Sequence, residues 1–214
     1  MLFFVAILLI SVVVHELAHG YMADFLGDPT ARLSGRLTLN PLPHLDPVGS
    51  ILLPFLLLIS SRGNFFFAWA KPVPYNPYNL RNQRWGTLAV GVAGVLVNFA
   101  LALIFGLTVR FSGLSGNAIL TTPFLRLAVL IAGLNLGLGI FNFIPVPPLD
   151  GSKVLFSLLP YRFMHIERFF ERYWFVLILL VYFFAGYIIV PILSFAFAAI
   201  TGQSVWVYAA ALPF

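Results

Sequence analysis

Four long runs of apolar residues decide what this chain can fold into. They lie at approximately residues 2–25, 86–110, 124–141 and 174–193. Each run is close to the ~20 residues that an α-helix needs to cross the hydrocarbon layer of a membrane. Charged side chains make up only 9% of the 214 residues, and the mean hydropathy is +0.98. The sequence therefore predicts an all-α integral membrane protein, a polytopic bundle of helices.

The polar parts of the chain are too short to fold separately outside the membrane, so we expect residues 1–214 to form one integral-membrane domain. The net charge is +5, but the twelve Lys and Arg residues lie singly between apolar runs. We therefore expect no nucleic-acid partner. We expect the basic residues to orient the chain in the lipid bilayer instead. Cysteine is absent, so any metal would be held by His, Asp or Glu. The oligomeric state stays open.

The first apolar run has the length of a signal-peptide core, but it lacks a basic start and a small-residue cleavage site. It continues into the sequence HELAHGYMADFLG and meets Gly27 and Pro29, which are typical of a helix end. We therefore expect a retained membrane helix from about Leu2 to Phe25.

Between the long runs, several segments predict other structures. Residues 31–41 alternate enough to predict a short membrane-associated extended or β segment. Residues 50–60 are apolar but too short to cross a membrane, so we expect them to dip into it or lie buried in the bundle. Three prolines within 145–148 must break a helix, which we expect to restart near Gly151. Residues 161–174 are basic and aromatic, which predicts an interfacial helix.

The HELAH sequence is the strongest chemical signal. His15 and His19 are one helical turn apart, so both imidazoles project from one helix face and can share a metal ion. Glu16 lies about 100° round the helix, where its carboxylate could reach a metal-bound water as a general base without being a ligand. The alternative is that His15 and His19 are polar packing residues at a helix interface and that Glu16 pairs with one of them.

A hydrolytic zinc site needs a third protein ligand and one position left open for water. Asp150 follows the proline break within apolar sequence, where an unpaired carboxylate would be costly. A metal would neutralise it, but the same residue could cap the helix that restarts there. The residues alone leave these two interpretations equally open. The other acidic residues lie in or near polar segments or in the basic interfacial segment, and are Asp24, Asp28, Asp46, Glu167 and Glu171.

The pair of motifs HELAHG and NFIPVPPLDG resembles the site-2 protease family of intramembrane zinc metalloproteases. The resemblance covers most of the chain. Within the family, the chain is similar to a small bacterial and archaeal branch that lacks PDZ domains. It implies one zinc ion held by His15, His19 and Asp150, with Glu16 as the base. It also implies a three-helix catalytic core.

The same resemblance draws attention to two asparagines. Asn98, in GVAGVLVNFALA, is similar to an asparagine on the middle core helix, and could donate to an oxyanion or hold the substrate backbone. Its alternative role is an interhelical hydrogen bond. Asn142 could support freed backbone or orient Asp150. We expect His44 and Asp46 to satisfy loop backbone instead of forming a second metal site.

These features predict a metalloendopeptidase that hydrolyses peptide bonds in or near transmembrane segments. Its partners would be a membrane-protein or membrane-anchored substrate and the lipid bilayer. We expect a multi-pass protein of a prokaryotic cell membrane with its active site toward the cytoplasm. The alternative function is a non-catalytic membrane metal-binding or transport protein, which would use the same ligands without needing Glu16 as a base.

The distribution of basic residues predicts the orientation in the membrane. If residues 50–60 do not cross, only Arg110 and Arg126 lie outside, against ten Lys and Arg residues inside. If they cross, Arg32 and Arg36 also lie outside, and the bias falls to eight against four. The excess of basic residues in cytoplasmic loops favours the first arrangement, with residues 27–85 on the cytoplasmic side.

Single cysteines introduced by Ser34→Cys and Asn82→Cys test this orientation, because the chain has no cysteine of its own. We predict that a membrane-impermeant maleimide labels both positions from the cytoplasmic side only. Labelling of the two positions from opposite sides would show that residues 50–60 cross the membrane.

Overall fold

The computed structural model describes residues 2–52, 56, 59–60 and 70–212. In chain order, the α-helices of these residues are α1 (Leu2–Phe25), α2 (Thr30–Leu33), α3 (Gln83–Arg110), α4 (Asn117–Thr121), α5 (Pro123–Asn142), α6 (Asp150–Leu158), α7 (Met164–Arg172), α8 (Trp174–Thr201) and α9 (Val205–Ala211). Helices α1, α3, α5 and α8 are long and apolar enough to cross a membrane. The predicted polytopic helical membrane protein is therefore confirmed.

Helix α3 lies at the centre of the bundle and packs against α5, α1 and α6. Its N-terminus is capped by Asn82, whose side chain accepts a hydrogen bond from the backbone N–H of Trp85 at 3.0 Å. Val109 of α3, Val129 of α5 and Phe197 of α8 are fully buried in the main apolar core. The core thus joins α3, α5 and the C-terminal half of α8, and α1 and α6 complete the side of α3 that carries the polar site.

The proline-rich stretch interrupts the helix as the sequence predicts. Helix α5 ends at Asn142, and α6 begins at Asp150 after residues in turns and bends. Gly151 lies directly against the backbone carbonyl groups of Phe143 and Ile144, so a side chain at this position would collide with them. The glycine of the LDG sequence therefore lets α6 start close against the end of α5.

The last membrane helix, α8, is longer than predicted. It continues through Pro191 to Thr201, whereas the sequence predicted an end near residue 193. Membrane helices tolerate an internal proline because neighbouring groups satisfy the freed backbone. Most of α8 is exposed, including Phe183 and Tyr187, which suits a helix surrounded by lipid.

Residues 31–41, predicted as an extended or β segment, form no strand, and the extended segment stays a prediction. Residues Thr30–Leu33 form the short helix α2, and the residues after it form turns and bends. The Asp28 carboxylate accepts hydrogen bonds from the Thr30 backbone and hydroxyl, which favours a helical turn at this point. Of the short apolar run 50–60, residues 53–55 and 57–58 lie outside the described part, so the predicted membrane dip stays a prediction.

Residues 70–79, here called the strap, lie without long regular structure along the C-terminal half of α1. The Arg36 side chain donates to the carbonyls of Lys71 and Pro72 at 2.8 and 3.2 Å. At the other end, the backbone N–H of Asn76 donates to the Asp28 carboxylate at 2.6 Å. The strap is therefore fastened at both ends to the segment that follows α1.

Asp28 is fully buried at the centre of these contacts. Burial by itself would raise the pKa of its carboxyl group, but hydrogen bonds from Thr30, Asn79 and Asn76 outweigh it and lower the pKa below the ordinary value of 3.8. The carboxylate therefore stabilises the fold at pH values above that ordinary value, and this contribution is lost as the pH falls below it.

Candidate metal centre

Helix α1 places His15 and His19 on one buried face, directed at α3 and α6. Each is 5% exposed, and their Nε2 atoms lie 3.1 Å apart. The Oδ2 atom of Asp150 lies 2.9 Å from Nε2 of His15 and 3.0 Å from Nε2 of His19. The structure thus brings together the three residues that the sequence suggested as metal ligands, although the two motifs are more than 130 residues apart.

The tautomer of His19 limits what can lie between the side chains of this cluster. Its Nδ1 donates a hydrogen bond to the backbone carbonyl of Val90 on α3 at 2.6 Å. A neutral His19 therefore presents an unprotonated Nε2 toward Asp150. Two lone pairs that face each other across 3.0 Å repel unless a proton or a metal ion lies between them. The donor set is consequently suited to a cation.

The Asp150 side chain is directed into the cluster instead of capping α6. The residue at the N-cap position is Leu149, which makes no capping hydrogen bond with its side chain. The second carboxylate oxygen of Asp150, Oδ1, accepts a hydrogen bond from Nζ of Lys153 at 2.8 Å. Both oxygens thus have side-chain partners, and this geometry favours the ligand interpretation over the cap.

Gly94 of α3 makes room for the cluster. A Cβ atom at this position would lie 2.5 Å from Nε2 of His19 and 2.7 Å from Nε2 of His15. Real Cβ atoms do not approach neighbours this closely, so any side chain here would push the two imidazoles apart. The absence of a side chain at Gly94 therefore keeps the ligand atoms of α1 together.

Glu16 is half-buried beside the two histidines and is held by the strap. Its Oε2 atom accepts a hydrogen bond from the backbone N–H of Val73 at 2.8 Å. This contact fixes one carboxylate oxygen, and Oε1 remains for another proton donor. A carboxylate fixed in this way beside a candidate metal site can act as a general base.

The two asparagines contact different partners. The fully buried amide of Asn98 lies 3.0 Å from Nδ1 of His15, the ring nitrogen opposite the one that faces Asp150. This contact between α3 and α1 is an interhelical hydrogen bond, the alternative role given for Asn98 from the sequence, although the sequence did not identify His15 as the partner. It favours a role in orienting His15 over a role as oxyanion donor. The Asn142 amide donates to the backbone carbonyl of Leu138 one turn earlier, so it supports the end of α5.

His44 and Asp46 make the loop contacts expected of them. Nε2 of His44 lies 3.0 Å from the carbonyl oxygen of Thr38, and Oδ1 of Asp46 accepts from the backbone N–H groups of Val48 and Gly49.

A cavity of about 460 Å³ lies between the strap, the start of α3 and helices α6 and α7. Lys153 and Tyr75 are part of its wall, so the cavity ends one helical turn from Asp150. Burial alone would lower the pKa of Lys153, but the Asp150 carboxylate raises it above the ordinary value. The carboxylate therefore favours the protonated form of the lysine.

Comparison with known proteins shows the family to which the chain belongs. The model of Peptidase family M50 matches residues 111–185, which include Asp150. "Putative zinc metalloprotease YwhC" of Bacillus subtilis is 39% identical over 161 residues, which are 74% of this chain and 69% of that protein. The chain belongs to peptidase family M50, the site-2 protease family.

Two further M50 relatives are more distant. "Putative zinc metalloprotease Rip2" of Mycolicibacterium smegmatis is 31% identical over 69% of this chain and 53% of that protein. "Zinc metalloprotease MJ0392" of Methanocaldococcus jannaschii is 27% identical over 75% of this chain and 35% of that protein. The chain therefore spans about half the length of the mycobacterial protein and about a third of the archaeal one. No solved structure matches the chain.

Membership of this family makes the chain a zinc metalloprotease, and the buried cluster fits that metal. A tetrahedral zinc site with bonds of about 2.0–2.1 Å holds its ligand atoms about 3.3 Å apart. The three candidate ligand atoms lie 2.9 to 3.1 Å apart, so a small outward movement of the side chains reaches that spacing. Three protein ligands also leave one position open, as zinc hydrolases require.

The Gly94→Ala variant tests whether this cluster holds the M50 metal. We predict a zinc affinity about 10-fold to 100-fold weaker, because the added methyl group must displace both imidazoles and overpacking costs about 1–3 kcal/mol. The measurement is zinc binding by competition with a chelator. Gly137→Ala is the matched control, since a Cβ there has open space. Unchanged zinc affinity in Gly94→Ala would place the metal elsewhere.

Proposed function

We propose that this M50 protein is an intramembrane zinc metalloendopeptidase that cleaves peptide bonds in or near the transmembrane segments of membrane proteins. The observation that supports this most strongly is the position of the buried His15, His19 and Asp150 cluster. It lies within a bundle of helices long enough to cross a membrane. A metal site among such helices can act on a peptide segment that enters the bundle from the bilayer.

Zinc would be held by Nε2 of His15, Nε2 of His19 and Oδ2 of Asp150. When bound, it supplies a Lewis acid that polarises the scissile carbonyl and lowers the pKa of the attacking water. The protein contributes the fixed positions of these three atoms. Val90 fixes the His19 ring through its carbonyl, and Asn98 fixes the His15 ring through its amide.

Glu16 would be the general base. Its Oε2 atom is occupied by the Val73 N–H, so Oε1 is the oxygen that takes the proton from the attacking water. Glu16 would then return this proton to the nitrogen of the leaving amine. The strap thereby orients the base without blocking both of its oxygens.

We infer further that the site faces the cytoplasmic side of a prokaryotic cell membrane and that residues 1–214 act as one domain. The distribution of basic residues supports this orientation. Glu16 also contacts the strap, and α7, which lines the adjoining cavity, carries charged residues that suit the membrane surface.

The Glu16→Gln variant tests the proteolytic function directly. We predict that it keeps its zinc and loses cleavage by about 10²-fold to 10⁴-fold, because an amide cannot accept the proton. The measurement pairs zinc content with cleavage of a transmembrane peptide in liposomes. Turnover close to wild type would exclude Glu16 as the base. A wild-type protein that binds zinc but cleaves no membrane peptide would favour the metal-binding or transport function.

The Asn98→Leu and Asn98→Asp variants separate the two roles of Asn98. A His15 that uses Nε2 as a ligand carries its proton on Nδ1, so the amide must accept through its oxygen. Oδ1 of Asn98 is buried and without a hydrogen-bond partner among the described residues, and rotation of the amide would give it one. We predict that Asn98→Leu binds zinc about 10-fold to 100-fold more weakly, whereas Asn98→Asp retains most of the affinity.

Zinc competition assays measure this difference, and cleavage rates are compared at saturating zinc. If Asn98→Leu bound zinc normally but cleaved about 10²-fold to 10³-fold more slowly, Asn98 would instead be an oxyanion donor.

A further inference from the structure

We propose that Lys153 is a positioning residue of the zinc site. Its ammonium group holds Oδ1 of Asp150, so that only Oδ2 is offered to the metal. This inference rests on the proposed ligand set of His15, His19 and Asp150. It adds a residue that the HELAH and LDG motifs do not contain.

The carboxylate of Asp150 has a different partner on each oxygen. Oδ2 faces the two histidine nitrogens at 2.9 and 3.0 Å, and Oδ1 accepts from Nζ of Lys153 at 2.8 Å. The side chain of Asp150 is only 7% exposed. The Lys153 side chain is 30% exposed toward the cavity, so this hydrogen bond between charged groups is shielded from water on the Asp150 side.

Besides the hydrogen bond to Asp150, two contacts fix the position of the lysine. Lys153 lies one turn after Asp150 on α6, and its stem packs so closely on α3 that a Cβ at Gly91 would lie 3.0 Å from the Cβ of Lys153. The ring of Tyr75, from the strap, has its centroid 5.7 Å from Nζ of Lys153. The ammonium group thus has a helix on one side and an aromatic ring on another.

The chemical consequence concerns the number of metal ligands. A carboxylate can bind a metal through one oxygen or through both, and the second mode would use the position that a zinc hydrolase keeps open for water. The hydrogen bond from the Lys153 ammonium fixes Oδ1 and the plane of the carboxylate, so it favours binding through Oδ2 alone. Without this bond the metal itself has to order the carboxylate, which weakens metal binding. Partners that orient ligands in this way typically contribute 10-fold to 100-fold in metal affinity or activity.

The test compares Lys153→Met, which keeps the stem without the charge, with Lys153→Arg, which keeps the charge. Lys71→Met is the matched control, because Lys71 is exposed and its side chain lies outside the site. Zinc affinity is measured by chelator competition. We expect a 10-fold to 100-fold loss in Lys153→Met, a loss of no more than about threefold in Lys153→Arg, and no change in Lys71→Met.

Cobalt substitution provides a spectroscopic readout that a general loss of stability would not produce. Five-coordinate Co²⁺ absorbs visible light more weakly than four-coordinate Co²⁺. We therefore expect Lys153→Met, at saturating cobalt, to lose visible absorption intensity because Asp150 now binds through both oxygens. Lys153→Arg should keep the wild-type spectrum. If Lys153→Met cannot be purified, Lys153→Gln takes its place in both measurements.

An unchanged cobalt spectrum in Lys153→Met would overturn the proposal, whether or not the affinity falls. Wild-type protein that binds no zinc would overturn both this proposal and the proposed function. Zinc binding without cleavage would overturn only the proteolytic function, since both readouts for Lys153 are independent of turnover.

Discussion

The structure depends on one constraint, which is that ionisable side chains within a membrane bundle must find partners there. Two imidazoles and a carboxylate would each be costly among apolar helices if they stood alone. Here they lie within 3.1 Å of one another at the meeting point of α1, α3 and α6. A bound cation would offset the cost of burying these three side chains. Metal binding would therefore stabilise the helix packing, and the helix packing would hold the three side chains in place for the metal.

Small residues and a broken helix bring this cluster together. Gly94 leaves the space that the two imidazoles occupy, and Gly151 lets α6 begin against the end of α5. The proline break turns the chain so that Asp150, the first residue of α6, meets α1. The strap then closes the remaining side, where the Val73 N–H holds Glu16. The helices thus set the positions of the three proposed ligands, and the strap holds the proposed base.

The sequence predicted the parts that depend on local pattern. The four membrane helices follow from long, mainly apolar runs, and the shared face of His15 and His19 follows from helical spacing. The contacts of Asn98 with His15 and of Lys153 with Asp150 could not be predicted, because they depend on how the helices are rotated against each other. The only available signal for Lys153 was its spacing of one turn after Asp150. Residues 31–41 form no strand because alternation over a short polar segment also fits a helical turn started by Asp28.

The metal content of purified variants tests the central claim, that His15, His19 and Asp150 hold one zinc ion. The comparison includes wild type and the variants His15→Ala, His19→Ala and Asp150→Ala. The control variant is His44→Ala, which changes a buried histidine that forms a hydrogen bond with loop backbone. The account predicts about one zinc per chain in wild type and His44→Ala, and strong depletion in the other three, because each loses one of only three protein ligands. Normal zinc content in Asp150→Ala would contradict the account and would leave Asp150 with a structural role at the start of α6.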